Sequence, residues 1–298
     1  MKSIMVEAIG ATEQIEESFV VEAKSEWLYG VAYLPVRRAA ASRSCLLLNP
    51  LDNEANNAVR FYVRMARLLA NNQVPVLRFD YRGTGNSSCC FSKISLETLL
   101  DDIDRIREFA GSAYGITPTC LVGARFGATL ALIYAGRYRK TDELILWDPI
   151  LDMRREFKTS FVNKTLLNHK MMGDRGEAYS ISRRLAEDGV VELSSTLFGQ
   201  LFYDQLAGFS LPPVADLHIS NGLILLLDVP LTARASQVAN DLQGRSELTV
   251  KRLPIRRRHI GWEAEEFSEA SELLSALEQE TMTYVTALSS DRLSASFA

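Results

Sequence analysis

The run Thr119-Cys120-Leu121-Val122-Gly123-Ala124-Arg125-Phe126-Gly127-Ala128-Thr129 decides the reading of this chain. Thr119 to Gly123 is a short continuous apolar stretch, the pattern of a strand covered on both faces. Phe126 to Tyr138 continues with small and apolar residues over a length that suits a helix. Gly123 and Gly127 bracket the junction, so the segment predicts a strand that turns sharply into a helix.

The same alternation extends outward. Upstream lie an apolar strand over Ser44–Asn49 and a helix over Asn57–Ala70, with Val59, Tyr62, Met65, Ala66 and Leu69 at helical spacing. A strand over Val74–Asp80 follows, then a helix over Ser95–Phe109 that opens on a capping serine. Downstream, Glu143–Asp148 is a strand that stops at Pro149. Strands and helices in this order imply right-handed crossovers and a mostly parallel sheet. Ahead of them, Phe19–Ala23 and Trp27–Leu34 read as a hairpin. Leu151–Leu211 breaks the alternation. It reads as three helical segments (Met153–Met172, Tyr179–Asp188 and Glu192–Leu206) with no strand, which predicts a helical cap. The pattern returns with a strand over His218–Leu227, a helix over Ala233–Leu242, a strand over Leu248–Leu253 and an acidic helix over Glu263–Leu288. The expected architecture is α/β, with a core from residues 1–150 and 212–298 and a cap from 151–211.

The composition agrees with a globular protein. The 298 residues carry 33 basic and 37 acidic side chains, a net charge of −4, with 47% hydrophobic content. Mild acidity argues against a nucleic-acid partner. No apolar run reaches the ~18 to 20 residues of a membrane helix, and no leader-like apolar region opens the chain, so a cytoplasmic location is expected. The four cysteines (Cys45, Cys89, Cys90 and Cys120) fit neither a metal spacing nor a disulfide framework, and Cys89 and Cys90 are adjacent. Only three histidines are present, His169, His218 and His259, with no H-E-x-x-H, so no metal or other cofactor is expected.

Four features carry chemistry. Asp80-Tyr81-Arg82-Gly83-Thr84-Gly85-Asn86-Ser87 follows a strand, and its glycines permit a tight turn that Arg82 can tie to neighbouring backbone. The glycine-bracketed turn holds Arg125, a side chain that stays charged and cannot attack a carbonyl. No Ser, Cys or Asp lies between Cys120 and Lys140 to replace it. His259 stands after the last strand. Asp148 and Asp228 each end an apolar strand, so either could orient His259 or pair with a buried Arg125. Lys251, Arg252, Arg256, Arg257 and Arg258 form a basic run before His259, suited either to a solvated edge or to capture of an anion.

In this order (glycine loop, bracketed turn, cap, acid, histidine) the residues resemble the α/β-hydrolase superfamily, in its serine-aminopeptidase-like branch. The resemblance runs from about Phe19 to Leu288. The D-x-R-G-x-G-x-S loop is similar to the family's, and Gly123-Ala124-Arg125-Phe126-Gly127 occupies the nucleophile elbow. Gly-x-Arg-x-Gly there is similar to hydrolases encoded beside exosortase and exopolysaccharide systems. The resemblance implies His259 as base, Asp228 as its acid with Asp148 as the other candidate, and an oxyanion hole near Asn49 and the Phe126 backbone. It implies a small acyl substrate, with coenzyme A or a carrier protein as the acyl carrier, and it leaves room for a homodimer. Two functions follow. One is a divergent hydrolase or acyltransferase on an ester or thioester, with Arg125 clamping a substrate carbonyl or carboxylate and His259 activating water. The other is a non-catalytic pseudo-hydrolase that binds or scaffolds.

Overall fold

The computed structural model describes residues 4–5, 14–23, 25–36, 43–138, 140–156, 159, 181–193, 196–209, 211–255 and 267–295. Its strands are β1 (Ile4–Met5), β2 (Gln14–Ala23), β3 (Glu26–Pro35), β4 (Cys45–Leu48), β5 (Val76–Phe79), β6 (Cys120–Ala124), β7 (Glu143–Trp147), β8 (Val190–Leu193), β9 (Thr196–Gly199), β10 (Asn221–Leu227) and β11 (Leu248–Leu253). The helices are α1 (Asp52–Asn71), α2 (Leu96–Tyr114), α3 (Phe126–Arg137), α4 (Ile181–Asp188), α5 (Gln200–Ala207), α6 (Ala233–Gln243) and α7 (Phe267–Ala295).

Nine strands form the main sheet in the order β1-β2-β3-β5-β4-β6-β7-β10-β11. The strands from β5 to β11 pair in parallel, while β1, β2 and β3 add an antiparallel edge. This is an α/β-hydrolase architecture, as the strand–helix alternation predicts.

Alternation within each strand explains the two-sided burial. In β4, Leu46 and Leu48 pack on one face and Cys45 and Leu47 on the other. Helices α2, α3 and α6 supply residues to the first face, and α1 and α7 to the second. Helix α3 is buried all round, from Phe126 to Ala135, which accounts for its lack of an amphipathic stripe. Helix α2 begins with a reciprocal capping box between Ser95 and Thr98 and ends at Gly115 in the left-handed region, so both ends satisfy their exposed backbone groups.

The insertion between β7 and β10 differs from the sequence reading. β8 and β9 form an antiparallel hairpin inside it, and the residues read as one helix over Glu192–Leu206 are strand up to Gly199 and helix only from Gln200. Tertiary contacts overrode the helical spacing. Phe198 is buried against Phe91 and Phe202, with ring centroids 5.3 and 5.9 Å away. Gly199 lies so close to the core that a Cβ there would sit 1.9 Å from the Ser92 carbonyl oxygen. A smaller difference concerns His218, which precedes β10 rather than opening it and is exposed at the end of the sheet away from Arg125. The predicted helix over Met153–Met172 is helical at residues 153–156, and most of its remainder lies outside the described residues.

Candidate functional site

The turn between β6 and α3 is built by its glycines. A Cβ on Gly123 would meet the Gly127 backbone at 2.5 Å, and one on Gly127 would sit 2.0 Å from the Leu48 carbonyl oxygen. Their absence lets the end of β4, the end of β6 and the first turn of α3 converge. Tyr62 of α1 locks that convergence. Its hydroxyl donates to the Leu48 carbonyl at 2.9 Å and accepts the Ala124 N–H at 2.8 Å. Gly127→Ala should therefore destabilise the fold by roughly 1 to 3 kcal/mol or more, because the obstacle is backbone. Chemical denaturation measures this, and an unchanged midpoint would mean that β4 and α3 can part without cost.

Arg125 sits between the glycines at φ 50° and ψ −119°. A side chain other than glycine at positive φ is strained, by about 1 to 3 kcal/mol, and needs its surroundings to hold it. The Arg125 N–H donates to the Trp147 carbonyl at 2.9 Å, and its carbonyl accepts the Thr129 N–H at 3.0 Å. The Thr129 hydroxyl accepts the Ile150 N–H at 2.9 Å, which ties α3 to the segment after β7.

The guanidinium is 2% exposed, and each of its nitrogens meets a different carboxylate. Nε donates to Glu54 at 2.9 Å, one terminal nitrogen donates to Asp148 at 3.0 Å, and the other donates to Glu156. Glu54 comes from the first turn of α1, Asp148 from the end of β7, and Glu156 from the start of the insertion. Burial pulls the Arg125 pKa down, but the fields of the three carboxylates outweigh it and hold it above the ordinary arginine value. Burial is also the largest effect on Asp148 and Glu156, and it raises both against the pull of Arg125. Desolvation thus acts on every member, and the pairing offsets it only while the cation is present.

Asp148 and Asp228 separate here. Asp148 pairs with Arg125, whereas the Asp228 side chain is exposed and makes no ion pair with Arg125 among the described residues. The Asp228 N–H reaches the Leu253 and Ile255 carbonyls at 3.1 and 3.3 Å, which holds its turn against the end of β11. His259 and His169 lie outside the described residues, as do Arg256, Arg257 and Arg258. Of the basic run, Arg252 is exposed and Lys251 is paired with Glu280 of α7 at 2.5 Å. The Asn49 amide donates to the Phe79 carbonyl at 2.7 Å, so it braces β4 against β5 rather than standing open as an oxyanion donor. Phe126 is the first residue of α3, where a backbone N–H has no acceptor within the helix.

The glycine loop is structural. Arg82 is buried and gives both its backbone N–H and its Nε to Asp102, at 2.9 and 2.6 Å, and a terminal nitrogen to Asp101 at 2.7 Å. Ser87 and Ser88 pin the loop to β3 by accepting the Tyr29 and Trp27 N–H groups.

Beside Arg125 opens a cleft of about 470 Å³ lined by Asp148, Ile150, Glu156, Leu227, Val229 and Thr232, among others. It lies at the carboxyl ends of the parallel strands, the usual place for a ligand in such a sheet. Sequence reasoning named Arg125 and Asp148 but missed Glu54 and Glu156. The available signal was the need of a buried guanidinium for several acceptors, together with an acidic first turn on α1.

The sheet order and the glycine-bracketed turn are those of the α/β-hydrolase fold. The family model for serine aminopeptidase S33 matches residues 55–191. Among solved structures, ferulic acid-bound Est1E from Butyrivibrio proteoclasticus is similar with a TM-score of 0.64, at 12% identity over 90% of this chain and 99% of that one. A carboxylesterase structure from Nitrososphaera gargenis has a TM-score of 0.57, at 14% identity over 91% of this chain and 99% of the other. Mouse alpha/beta hydrolase domain-containing protein 10 has a TM-score of 0.52, at 16% identity over 90% and 99%. Identities this low show a shared fold. A search of curated proteins found no match. No helix among the described residues is long and apolar enough to cross a membrane.

Proposed function

We propose that this chain is a binding protein on a hydrolase scaffold, which takes a small acyl ligand in the cleft beside Arg125 and does not carry out serine-type hydrolysis. One observation carries the reading: all three guanidinium nitrogens of Arg125 are engaged by carboxylates of the chain itself. A side chain so placed is neither a nucleophile nor an open clamp for a substrate carbonyl. The apolar lining from Ile150, Leu227 and Val229 suits an acyl chain, and the ligand class includes acyl groups carried on coenzyme A or a carrier protein.

The test is calorimetric titration with a medium-chain acyl-coenzyme A and with the matching free acid. Saturable binding of either, lost on Leu227→Glu, supports the reading. Absence of binding by both, with turnover of simple esters, refutes it. A fluorophosphonate that traps serine nucleophiles should leave the protein unlabelled, and stoichiometric labelling of any serine would reveal a nucleophile elsewhere.

A second reading, a divergent hydrolase or acyltransferase using His259 and Asp228, is favoured by the hold of the Asp228 turn on the end of β11. Arg125→Ser separates the two. The glycine bracket should deliver the new hydroxyl to the nucleophile position. If His259 and Asp228 are aligned, esterase activity on short p-nitrophenyl esters should appear, and adding His259→Ala should lower it by roughly 10² to 10⁴-fold. A folded Arg125→Ser protein without activity leaves the binding reading standing alone.

A further inference from the structure

The adjacent cysteines have no place in the site around Arg125, yet their surroundings differ sharply from those of the other two thiols. Cys45 and Cys120 are fully buried neighbours on β4 and β6. Cys90 is exposed, and its sulfur lies 3.0 Å from the Ser92 hydroxyl. Cys89 is half-buried and takes φ +83°, a conformation that costs a non-glycine residue strain. The bend is held from both sides. Ser87 and Ser88 fix the chain to β3 just before it, and the Phe91 ring, buried among Phe198 and Phe202, fixes it just after.

These surroundings assign different roles to the two sulfurs. An exposed thiol with a hydroxyl and a backbone N–H directed at it, and Lys93 nearby, is stabilised as the thiolate, and these hydrogen bonds hold the Cys90 pKa below the ordinary thiol value. Burial, helped by Glu26, pushes Cys89 the other way and keeps it a thiol.

We propose that Cys89 and Cys90 form a thiol–disulfide exchange site for low-molecular-weight disulfides, with Cys90 as the attacking sulfur and Cys89 as the resolving one. The Cys90 thiolate attacks one sulfur of a disulfide RSSR. The S–S bond breaks, a Cys90–SR mixed disulfide forms, and RS⁻ leaves with the proton that Cys90 gave up. Cys89 then loses its proton and attacks the Cys90 sulfur, closing a Cys89–Cys90 disulfide and releasing the second RSH. The two cysteines lose two electrons, and RSSR gains them as two thiols. The site is covalently next to Phe91, whose ring holds the β8–β9 hairpin, and that aromatic cluster reaches Phe126 of the elbow through Phe202, at 6.1 Å.

The experiment uses the full, natively folded chain with glutathione disulfide as the probe, followed by intact-mass and peptide mass spectrometry. The wild type should lose the mass of two hydrogens, confined to the peptide that contains Cys89 and Cys90. Cys89→Ser should stop at one glutathione added on Cys90, and Cys90→Ser should lose the reaction. Far-ultraviolet circular dichroism on each variant shows that the fold is kept. A stable glutathione adduct on the wild type, reaction at Cys45 or Cys120 of the native protein, or no reaction at all would each overturn the proposal.

Discussion

Arg125→Ala should destabilise the protein by about 3 to 5 kcal/mol, because it removes a buried cation that pairs with three carboxylates in or at the edge of the core. In a chain of this size that is a fall in Tm of roughly 5 to 8 °C. The loss should depend on pH. Asp148 and Glu156 are raised even with the arginine present, and without it they rise further. A carboxyl whose folded pKa exceeds its unfolded value favours the fold while protonated and loses that contribution as pH rises through the folded value. The variant should thus lie closer to wild type near pH 5 than near pH 8. Equal deficits at both would show that the carboxylates turn outward to water when the arginine goes. The quadruple variant that also converts Glu54, Asp148 and Glu156 to their amides should recover part of the loss, because those three positions then carry no charge.

A comparable effect is expected at Arg82→Ala, for a different reason. Asp102 is fully buried on α2, and Arg82 is its partner through both backbone and side chain. Burial pushes the Asp102 carboxyl up to about 6 against the pull of Arg82. Removing the guanidinium leaves a buried charge without its ion-pair partner, a change that costs about 3 to 5 kcal/mol. By the same linkage the deficit should grow as pH rises through about 6, where Asp102 ionises in the wild type. Denaturant midpoints at several pH values check this. Replacing both partners with leucine should cost less than Arg82→Ala alone, since paired apolar substitution leaves neither charge behind. If it costs more, the loop depends on the hydrogen bonds themselves.

The parts of the molecule fixed by local pattern were legible in the sequence. Gly123 and Gly127 announced the elbow because steric exclusion depends only on which residues lack a Cβ. The parallel strands showed as continuous apolar runs because both of their faces are covered. The partners of Arg125 were harder to see. Glu54 lies 71 positions away and Glu156 lies 31 away, and no local spacing encodes a meeting of three separate segments. Asp148 could be named because it ends a strand beside the elbow, and Asp228, which ends the next parallel strand, was indistinguishable from it by pattern. The β8–β9 hairpin was missed because Leu193, Leu197 and Leu201 recur four residues apart, which also fits a helix face. What decides for strands is the close seat of Gly199 on Ser92 and the burial of Phe198, both of which belong to the folded state.

The elbow has a consequence for how such a protein changes its chemistry. Its backbone shape is imposed by the glycines on either side, by the Tyr62 hydroxyl and by the Trp147 carbonyl, none of which depends on the side chain at residue 125. The position therefore works as a socket. A short reactive side chain and an ion-paired arginine fit the same backbone mount. What must change with the side chain is the ring of counter-charges around it, here drawn from three separate segments, so the chemistry at this point is reset by substitutions scattered along the chain rather than by a new fold.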